Sequence, residues 1–425
     1  MPILTLYRLA TIALTPLARP LLAHRVRYGK EDPARLNERM GYAGLPRPEG
    51  RLVWLHGASI GESLALLPLV ERLIQRGVET LVTSGTTSSA SVLAGRLPAG
   101  AVHQFLPLDA PKFIERFLDH WRPDLALFAE SEIWPNVVCA ARARGVPLIL
   151  VNARISRRSV ERWRRLPDAG ARLFGMIDLC LAQNVDDAAR FLRLGAERVR
   201  VAGNLKFDVS PPPADAVKLA RFRGAVGARP VWAAVSTHPG EEEAVLDAHV
   251  ELARHVPSLL TVIAPRHPER GAEIAALAQS KGLSPALRSS GVEPDGGAGV
   301  YVADTIGELG LIFRVAGLVF MGRSLAAGGG HNPIEPAKLG CAILHGPNVG
   351  DFAEVYAELD AAEAAASASD VEHLARLAFY LLSKPSRMRK MGRAGAEVVE
   401  SLGGASRNIM TAIEPYLVQC ALEQP

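Results

Sequence analysis

In the stretch Leu52-Val53-Trp54-Leu55-His56-Gly57-Ala58-Ser59-Ile60-Gly61-Glu62-Ser63 an apolar run ends in a turn of small residues. A helical pattern then starts with Glu62 in its first turn. A strand, a glycine-containing turn and a helix N-terminus expose backbone N–H groups and the positive end of a helix dipole, a place that usually receives an anion. A carboxylate there repels one. Glu62 therefore points to proton transfer rather than phosphate binding.

A second turn carries the opposite character. In Gly328-Gly329-Gly330-His331-Asn332-Pro333-Ile334-Glu335-Pro336 three glycines let a ligand approach backbone N–H groups closely. Asn332 suits an N-cap and Pro333 the first helical position, which puts Glu335 at the capping-box position. The glycine run exceeds what a cap needs, and a carboxylate there can accept both hydroxyls of a ribose, so the turn reads as nucleotide-binding. Pro265-Arg266-His267 follows a predicted strand, and the planar fork of Arg266 matches a phosphate. Asp304-Thr305 and Met321-Gly322-Arg323-Ser324 also lie beyond strand ends, and Asn204–Asp208 places Lys206 next to a linker. Ala129-Glu130-Ser131-Glu132 alternates carboxylates, but no histidine accompanies them and no Asp-x-Asp motif occurs, so no metal is expected.

These segments need a scaffold, and the pattern of the chain supplies one. Apolar runs at 52–56, 80–84, 102–106, 125–129, 148–152, 179–183 and 199–202 alternate with helical spacing such as 64–76, 112–120 and 135–144. Strands that are apolar throughout imply a parallel sheet covered on both faces, hence a doubly wound α/β domain. Ser210-Pro211-Pro212-Pro213 breaks the pattern as a linker. Strand-like runs then resume at 231–236, 259–264, 300–303, 317–321 and 342–344, and 291–299 is a glycine-rich loop. Residues 371–422 read as consecutive helices punctuated by Lys384-Pro385 and Gly403-Gly404. Two sheet domains closed by a helical tail follow, with ligands expected beyond the strands' carboxyl ends, in a cleft between the domains.

Composition narrows the class. A chain of 425 residues, 48% hydrophobic and 22% charged, fits a two-domain globular enzyme. Its net charge of +4 does not suggest a general nucleic-acid binder. Arg154, Arg157, Arg158, Arg162, Arg164 and Arg165 nevertheless crowd together with only Glu161 opposing them, which suits either a solvated helix face or a phosphate-binding patch. Four widely spaced cysteines in apolar surroundings read as free buried thiols of a reducing compartment. At the N-terminus, residues 2–23 are mostly apolar but interrupted by Arg8, Pro16, Arg19 and Pro20, with Arg25, Arg27 and Lys30 following. The pattern suits a short membrane anchor or interfacial helix with a cytoplasmic basic flank, against an ordinary packed helix.

Taken together, His56–Ser63, Glu130–Asn136, Asn152-Ala153-Arg154, Gly203–Asp208, Pro265–His267 and Gly329–Glu335 resemble the signature blocks of the 3-deoxy-D-manno-octulosonic acid (Kdo) transferases. The basic 27–41 stretch resembles the family's start, and the blocks run in order along nearly the whole chain. The resemblance implies an α/β fold of the GT-B type, two facing Rossmann-like doubly wound domains with a helical C-terminal tail. The expected division is a membrane-anchoring helix at 1–24, an acceptor-binding domain at 25–209, a CMP-Kdo-binding domain at 214–395, and a C-terminal helix at 396–425 that packs back toward the N-terminal domain.

It further implies metal-independent, cofactor-free, inverting transfer of Kdo from CMP-Kdo to the lipid A precursor, lipid IVA, at the cytoplasmic side of a bacterial inner membrane. By the family's pattern Glu62 is the catalytic base, and Glu132 and Lys206 stabilise the transition state. CMP contacts fall on Pro265, Arg266, Met321, Gly322, Arg323, Asn332, Pro333, Ile334 and Glu335. Arg323 departs from the pattern, because a glycine or other small residue is expected there. The arginine cluster suits a phosphorylated glycolipid acceptor. A sugar-nucleotide 2-epimerase of the same architecture is the alternative, and a two-domain binding protein without chemistry is another. A nicotinamide-dependent dehydrogenase is disfavoured because no G-x-G-x-x-G follows the first strand.

Overall fold

The computed structural model describes residues 2–326 and 328–422. Its chain divides into two compact units, residues 1–209 with 403–425, and residues 210–402.

The first unit holds a seven-stranded sheet: β1 (Leu52–Gly57), β2 (Glu79–Ser84), β3 (Ala101–Phe105), β4 (Leu125–Ala129), β5 (Leu148–Ala153), β6 (Leu179–Ala182) and β7 (Val199–Val201). All pairings are parallel, and the order is β3-β2-β1-β4-β5-β6-β7. The strands β1, β4 and β5 are buried along their whole length. Their alternation divides the residues between two cores. Leu52, Trp54, Ala126, Phe128, Leu148 and Leu150 enter one, whereas Val53, Leu55, Leu125, Leu127, Ile149 and Val151 enter the other. Continuous apolar strands thus mark a sheet sandwiched between helices. On the second core the helix Ile60–Ile74 packs beside the C-terminal helix Ala405–Leu422, which contributes Ile409, Met410 and Ile413. The start of that last helix is fixed by the Asp208 carboxylate, which accepts the N–H groups of Gly404 and Ser406.

The second unit holds β8 (Val231–Thr237), β9 (Leu260–Pro265), β10 (Pro285–Leu287), β11 (Val300–Val302), β12 (Leu318–Met321), β13 (Ala342–His345) and β14 (Ala365–Ser367). These too are all parallel, in the order β10-β11-β9-β8-β12-β13-β14. Each sheet reverses its winding at one place, between β1 and β4 in the first and between β8 and β12 in the second. In open α/β sheets the crevice at that reversal, beyond the carboxyl ends of the strands, receives ligands. The three tail helices are Val371–Ser383, Pro385–Ser401 and Ala405–Leu422, broken where Lys384 and Gly403-Gly404 stand. The middle one ends inside the second unit, so the two units exchange at 402/403.

The N-terminal segment forms the helix Pro2–Leu14, a single tight turn at Thr15–Leu17 and the helix Ala18–Arg27. One side packs on the first unit: Tyr7 donates to Asp109 at 2.9 Å and Asn136 donates to Thr11 at 3.1 Å. The other side leaves Ile3, Leu6, Leu9, Ile12, Leu14, Leu17 and Leu21 exposed. No described helix is long and apolar enough to cross a membrane.

Candidate active site

The reversal point of the first sheet gathers three carboxylates, a lysine and a histidine. Ser59 is the N-cap of the helix Ile60–Ile74, its hydroxyl accepting the Glu62 N–H at 3.3 Å. The Glu62 carboxylate reaches back to accept the Ala58 N–H at 2.9 Å and the Ser59 hydroxyl at 2.8 Å. The sequence S-x-x-E has therefore folded as a variant of the capping box, in which the glutamate accepts the N–H of the residue before the N-cap and the hydroxyl of the N-cap itself. The surroundings of Glu62 also shift its proton affinity. Burial pushes its carboxyl above the ordinary carboxylate range, the Ser59 bond pulls it partly back, and the nearby charges of Glu132 and Glu130 push it up again.

Glu130 and Glu132 arrive from the end of β4. Glu130 adopts a left-handed backbone (φ 53°), unusual for a residue with a side chain, and this turns its carboxylate toward Lys206. The Lys206 ammonium lies 2.8 Å from Glu130 Oε1. Lys206 itself is fixed by the tight turn Leu205–Phe207, which Asn204 caps through a bond to the Lys206 N–H. Asn152, at the end of β5, is also left-handed (φ 51°), and its side-chain oxygen accepts the Leu205 N–H at 2.9 Å. Two strained strand ends thus hold the lysine in place, a pattern common at functional sites.

Glu132 accepts the Trp134 indole N–H at 3.0 Å. His56, fully buried at the end of β1, contacts Thr83 through Nδ1, while its Nε2 has no hydrogen-bond partner and lies 3.6 Å from Glu132 Oε2. A buried ring nitrogen without a partner is costly, so Nε2 aimed at a carboxylate marks a place where a polar group belongs. Sequence reasoning singled out Glu62, Glu132 and Lys206, and the fold brings them together. The roles of His56 and Glu130 are visible only in three dimensions.

The reversal point of the second sheet is cationic. Pro265 ends β9, and Arg266 follows with an exposed side chain and its N–H bonded to Thr237 O at 3.0 Å. Met321 ends β12, and Gly322 packs so tightly under Ser236 and Thr237 that a Cβ would fall 2.5 Å from the Ser236 carbonyl oxygen. Arg323 is left-handed (φ 57°), a conformation glycine adopts at no cost, which explains why a small residue is expected there. Its guanidinium reaches Asp351 at 2.9 Å. A Cβ on Gly328 would strike the Arg323 side chain at 2.3 Å, and one on Gly329 the Asp351 carboxylate at 2.7 Å. The arginine is therefore strung across the glycine turn, which needs its glycines for closeness.

Beneath this lies a carboxylate that the sequence did not reveal. Glu241, 1% exposed in the first turn of the helix Glu241–Ala253, accepts N–H groups from His238 (3.0 Å), Arg323 (2.6 Å), Ser324 (2.8 Å) and Leu325 (3.0 Å). It ties the turn after β8 to the turn after β12. The helix expected to start at Pro333 runs Ile334–Lys338, one residue later. Asn332 still serves its start, its Oδ1 accepting the Ile334 N–H at 3.0 Å, and Glu335 sits half-buried in the first turn. Pro265, Arg266, Met321–Arg323 and Asn332–Glu335 thus converge at one end of one sheet. Asp304 and Thr305 are engaged locally instead, Asp304 by the Ser289 N–H at 2.8 Å and Thr305 by Glu308 at 2.6 Å.

The arginines of 154–165 lie on and beside the helix Arg157–Arg164. All six are exposed, and Val160 and Trp163 turn the opposite side inward.

Comparison with known proteins identifies the family and the fold. Residues 34–209 match the 3-deoxy-D-manno-octulosonic-acid transferase (kdotransferase) family. The chain is 36% identical over 390 residues to the 3-deoxy-D-manno-octulosonic acid transferase of Bordetella pertussis, covering 89% of this chain and 91% of that protein. It is 34% identical over 412 residues to a probable mitochondrial enzyme of the same name from Arabidopsis thaliana, covering 93% and 92%. Among solved structures, the UDP-GlcNAc 2-epimerase of Neisseria meningitidis superposes with a TM-score of 0.59 at 15% identity over 87% of this chain and all of that one. A glycosyltransferase from Rickettsia africae superposes with a TM-score of 0.57 at 10% identity over 89% and 100%. These last two likenesses concern the fold alone, and they place it with the GT-B type expected from the sequence. The sequence relatives decide between the transferase and epimerase readings: the chain belongs to the 3-deoxy-D-manno-octulosonic acid transferase family.

Proposed function

We propose that the chain transfers Kdo from CMP-Kdo to a hydroxyl of the lipid A precursor, lipid IVA, with inversion and with Glu62 as general base. The observation that carries this is the Glu62 carboxylate, fixed by two hydrogen bonds and raised in basicity by burial and by Glu132 and Glu130. A carboxylate of raised pKa is a better proton acceptor while still ionised near neutrality. Glu62 takes the proton of the acceptor hydroxyl as its oxygen bonds to the anomeric carbon. The bond from that carbon to the phosphate breaks, and CMP leaves with the electron pair. Attack opposite the leaving group inverts the configuration.

Arg266 and the backbone N–H groups around Asn332 receive the departing phosphate, a task that fixed positive groups perform well away from water. Pro265, Met321, Gly322, Pro333, Ile334 and Glu335 complete the cytidine site, with the Glu335 carboxylate on the ribose hydroxyls. Lys206 and Glu132 stabilise charge on the sugar during transfer. Incubation with CMP-Kdo and lipid IVA tests the reading directly. CMP release and a Kdo-bearing product of inverted anomeric configuration by NMR are expected, and absence of CMP release overturns it.

The same reading places the protein on the cytoplasmic face of a bacterial inner membrane. The exposed apolar residues from Ile3 to Leu21 suit an interfacial helix that lies in the headgroup boundary. The exposed arginines from Arg154 to Arg165 suit the phosphates of the glycolipid acceptor.

A further inference from the structure

The turns after β8 and β9 and the glycine turn before Asn332 assemble histidines that no assigned role uses. His238 Nε2 lies 3.1 Å from His331 Nε2, with the two rings nearly parallel at 16° and their centroids 5.3 Å apart. The His267 ring stands edge-on to His238 at 5.9 Å. A nitrogen–nitrogen contact of this length is a hydrogen bond only when one imidazole donates and the other accepts. The pair can therefore carry one positive charge and keep its bond, but not two.

The charged groups that act on the pair are Arg266, Arg323, His267 and Glu241, and the Tyr356 hydroxyl donates to the His331 carbonyl at 2.9 Å. The balance of these charges is positive. Both oxygens of Glu241 are already taken up by backbone N–H groups, and Asp351 is occupied by Arg323. Burial first, then the charges of His238, Arg266 and Arg323, hold His331 down at about 4. Burial also lowers His238, Glu241 pulls it partly back, and His267, Arg323 and Arg266 push it down again. Near neutrality the pair is uncharged in a field that disfavours protonation. An arriving anion reverses that field.

We propose that the His238–His331 pair is an oxyanion subsite for the sugar-nucleotide donor, one that takes up a single proton from solvent as the donor docks beside Arg266. The Nε2–H···Nε2 bond persists in the charged pair, and an outward Nδ1–H donates to the anion. The inference rests on the donor assignment above. The oxyanion is the nucleotide phosphate or the sugar carboxylate, and these separate by ligand: CMP carries only the first, free Kdo only the second, and CMP-Kdo both.

The test uses the full chain with histidines labelled by 15N, following the imidazole nitrogens by NMR at neutral pH, with His238→Asn and His331→Asn identifying the pair's signals. Addition of CMP-Kdo is expected to move one imidazole of the pair to the imidazolium position. The same shift with CMP alone assigns the phosphate, and with Kdo alone the carboxylate; a pair that stays neutral with all three ligands overturns the subsite.

In the wild type, donor KM is expected to rise with pH between the free pair's pKa and the bound pair's, by up to about tenfold per unit, because one proton is taken up on binding only in that range. In His331→Asn that dependence is expected to flatten, with KM about tenfold higher at the acid end, the size of one lost charge-assisted hydrogen bond. An unchanged pH dependence counts against the proposal. His331→Gln and the wild-type spectra keep it decidable if the Asn variant does not fold. An imidazolium signal without CMP release retains the subsite and overturns Kdo transfer. Turnover with a neutral pair does the reverse.

Discussion

The Ser59 hydroxyl donates to the Glu62 carboxylate at 2.8 Å, so the residue placed as general base also braces the N-cap of its own helix. The two roles separate by substitution. Glu62→Gln keeps a hydrogen-bonding side chain at the position where a capping box accepts Gln, so the melting temperature is expected to stay near the wild type. Turnover is expected to fall by about 10²- to 10⁴-fold, the range of a lost general base, while CMP binding persists. A stable variant with wild-type turnover returns Glu62 to a purely structural role.

Ser59→Ala provides the complementary measurement. Its loss removes an N-cap worth about 1 kcal/mol. It also removes the hydrogen bond that holds the Glu62 carboxyl down against burial. The base must be ionised to act, so the acid limb of the kcat profile marks its pKa. That limb is expected to move to higher pH in Ser59→Ala. A limb that stays in place or moves to lower pH assigns the titration to another group.

The Lys206–Glu130 pair predicts a non-additive response. Both side chains are largely buried, and removing one partner strands the other's charge. Lys206→Met leaves Glu130 uncompensated beside Glu62 and is expected to lower stability by about 1–3 kcal/mol in urea titrations. The double variant Lys206→Met with Glu130→Gln is expected to recover part of that loss without recovering activity. Strict additivity of the two single effects sinks the coupling.

At Arg323 the backbone and the side chain pull in opposite directions. Glycine in place of this left-handed arginine relieves about 1 kcal/mol of strain, and loses an exposed ion pair to Asp351 worth about 0–1 kcal/mol. Arg323→Gly is therefore expected to leave stability near the wild type, and Arg323→Ala to be about 1 kcal/mol less stable than Arg323→Gly. Equal stabilities for the two variants would remove the backbone argument.

Much of this was legible in the sequence for a physical reason. Parallel strands buried on both faces leave uninterrupted apolar runs, so β1, β4, β5 and β12 stand out, and Pro385 and Gly403-Gly404 mark helix ends by their own backbone limits. The strands β10 and β14 were not expected. Each is three residues at a sheet edge, Pro-Ala-Leu and Ala-Ala-Ser, with little β-branched character to betray it. Glu62 was legible because a capping box is local. The His238–His331 contact joins residues 93 positions apart, and Glu241 binds across 82 to 84 positions. Spacing along the chain carries no signal of either. Glu130 was quoted within its motif, but its turn toward Lys206 depends on a left-handed φ that no residue type announces.

The exposed arginines and the exposed apolar helix make separable contributions to acceptor use. Arg157→Ala with Arg158→Ala removes charge from a helix whose buried residue is Val160, so folding is expected to be unaffected. The acceptor's KM is expected to rise, with a weaker dependence on salt, and donor KM to stay constant. Leu6→Asp with Leu9→Asp instead removes apolar contact from the outward side of the N-terminal helix, where these residues are 66% and 58% exposed. Flotation with anionic phospholipid vesicles is expected to fall in the leucine variant, while turnover on detergent-dispersed acceptor is retained. If the leucine variant floats as the wild type does, the N-terminal helix is not the membrane contact. If the arginine variant keeps its acceptor KM, the cluster is a solvated face.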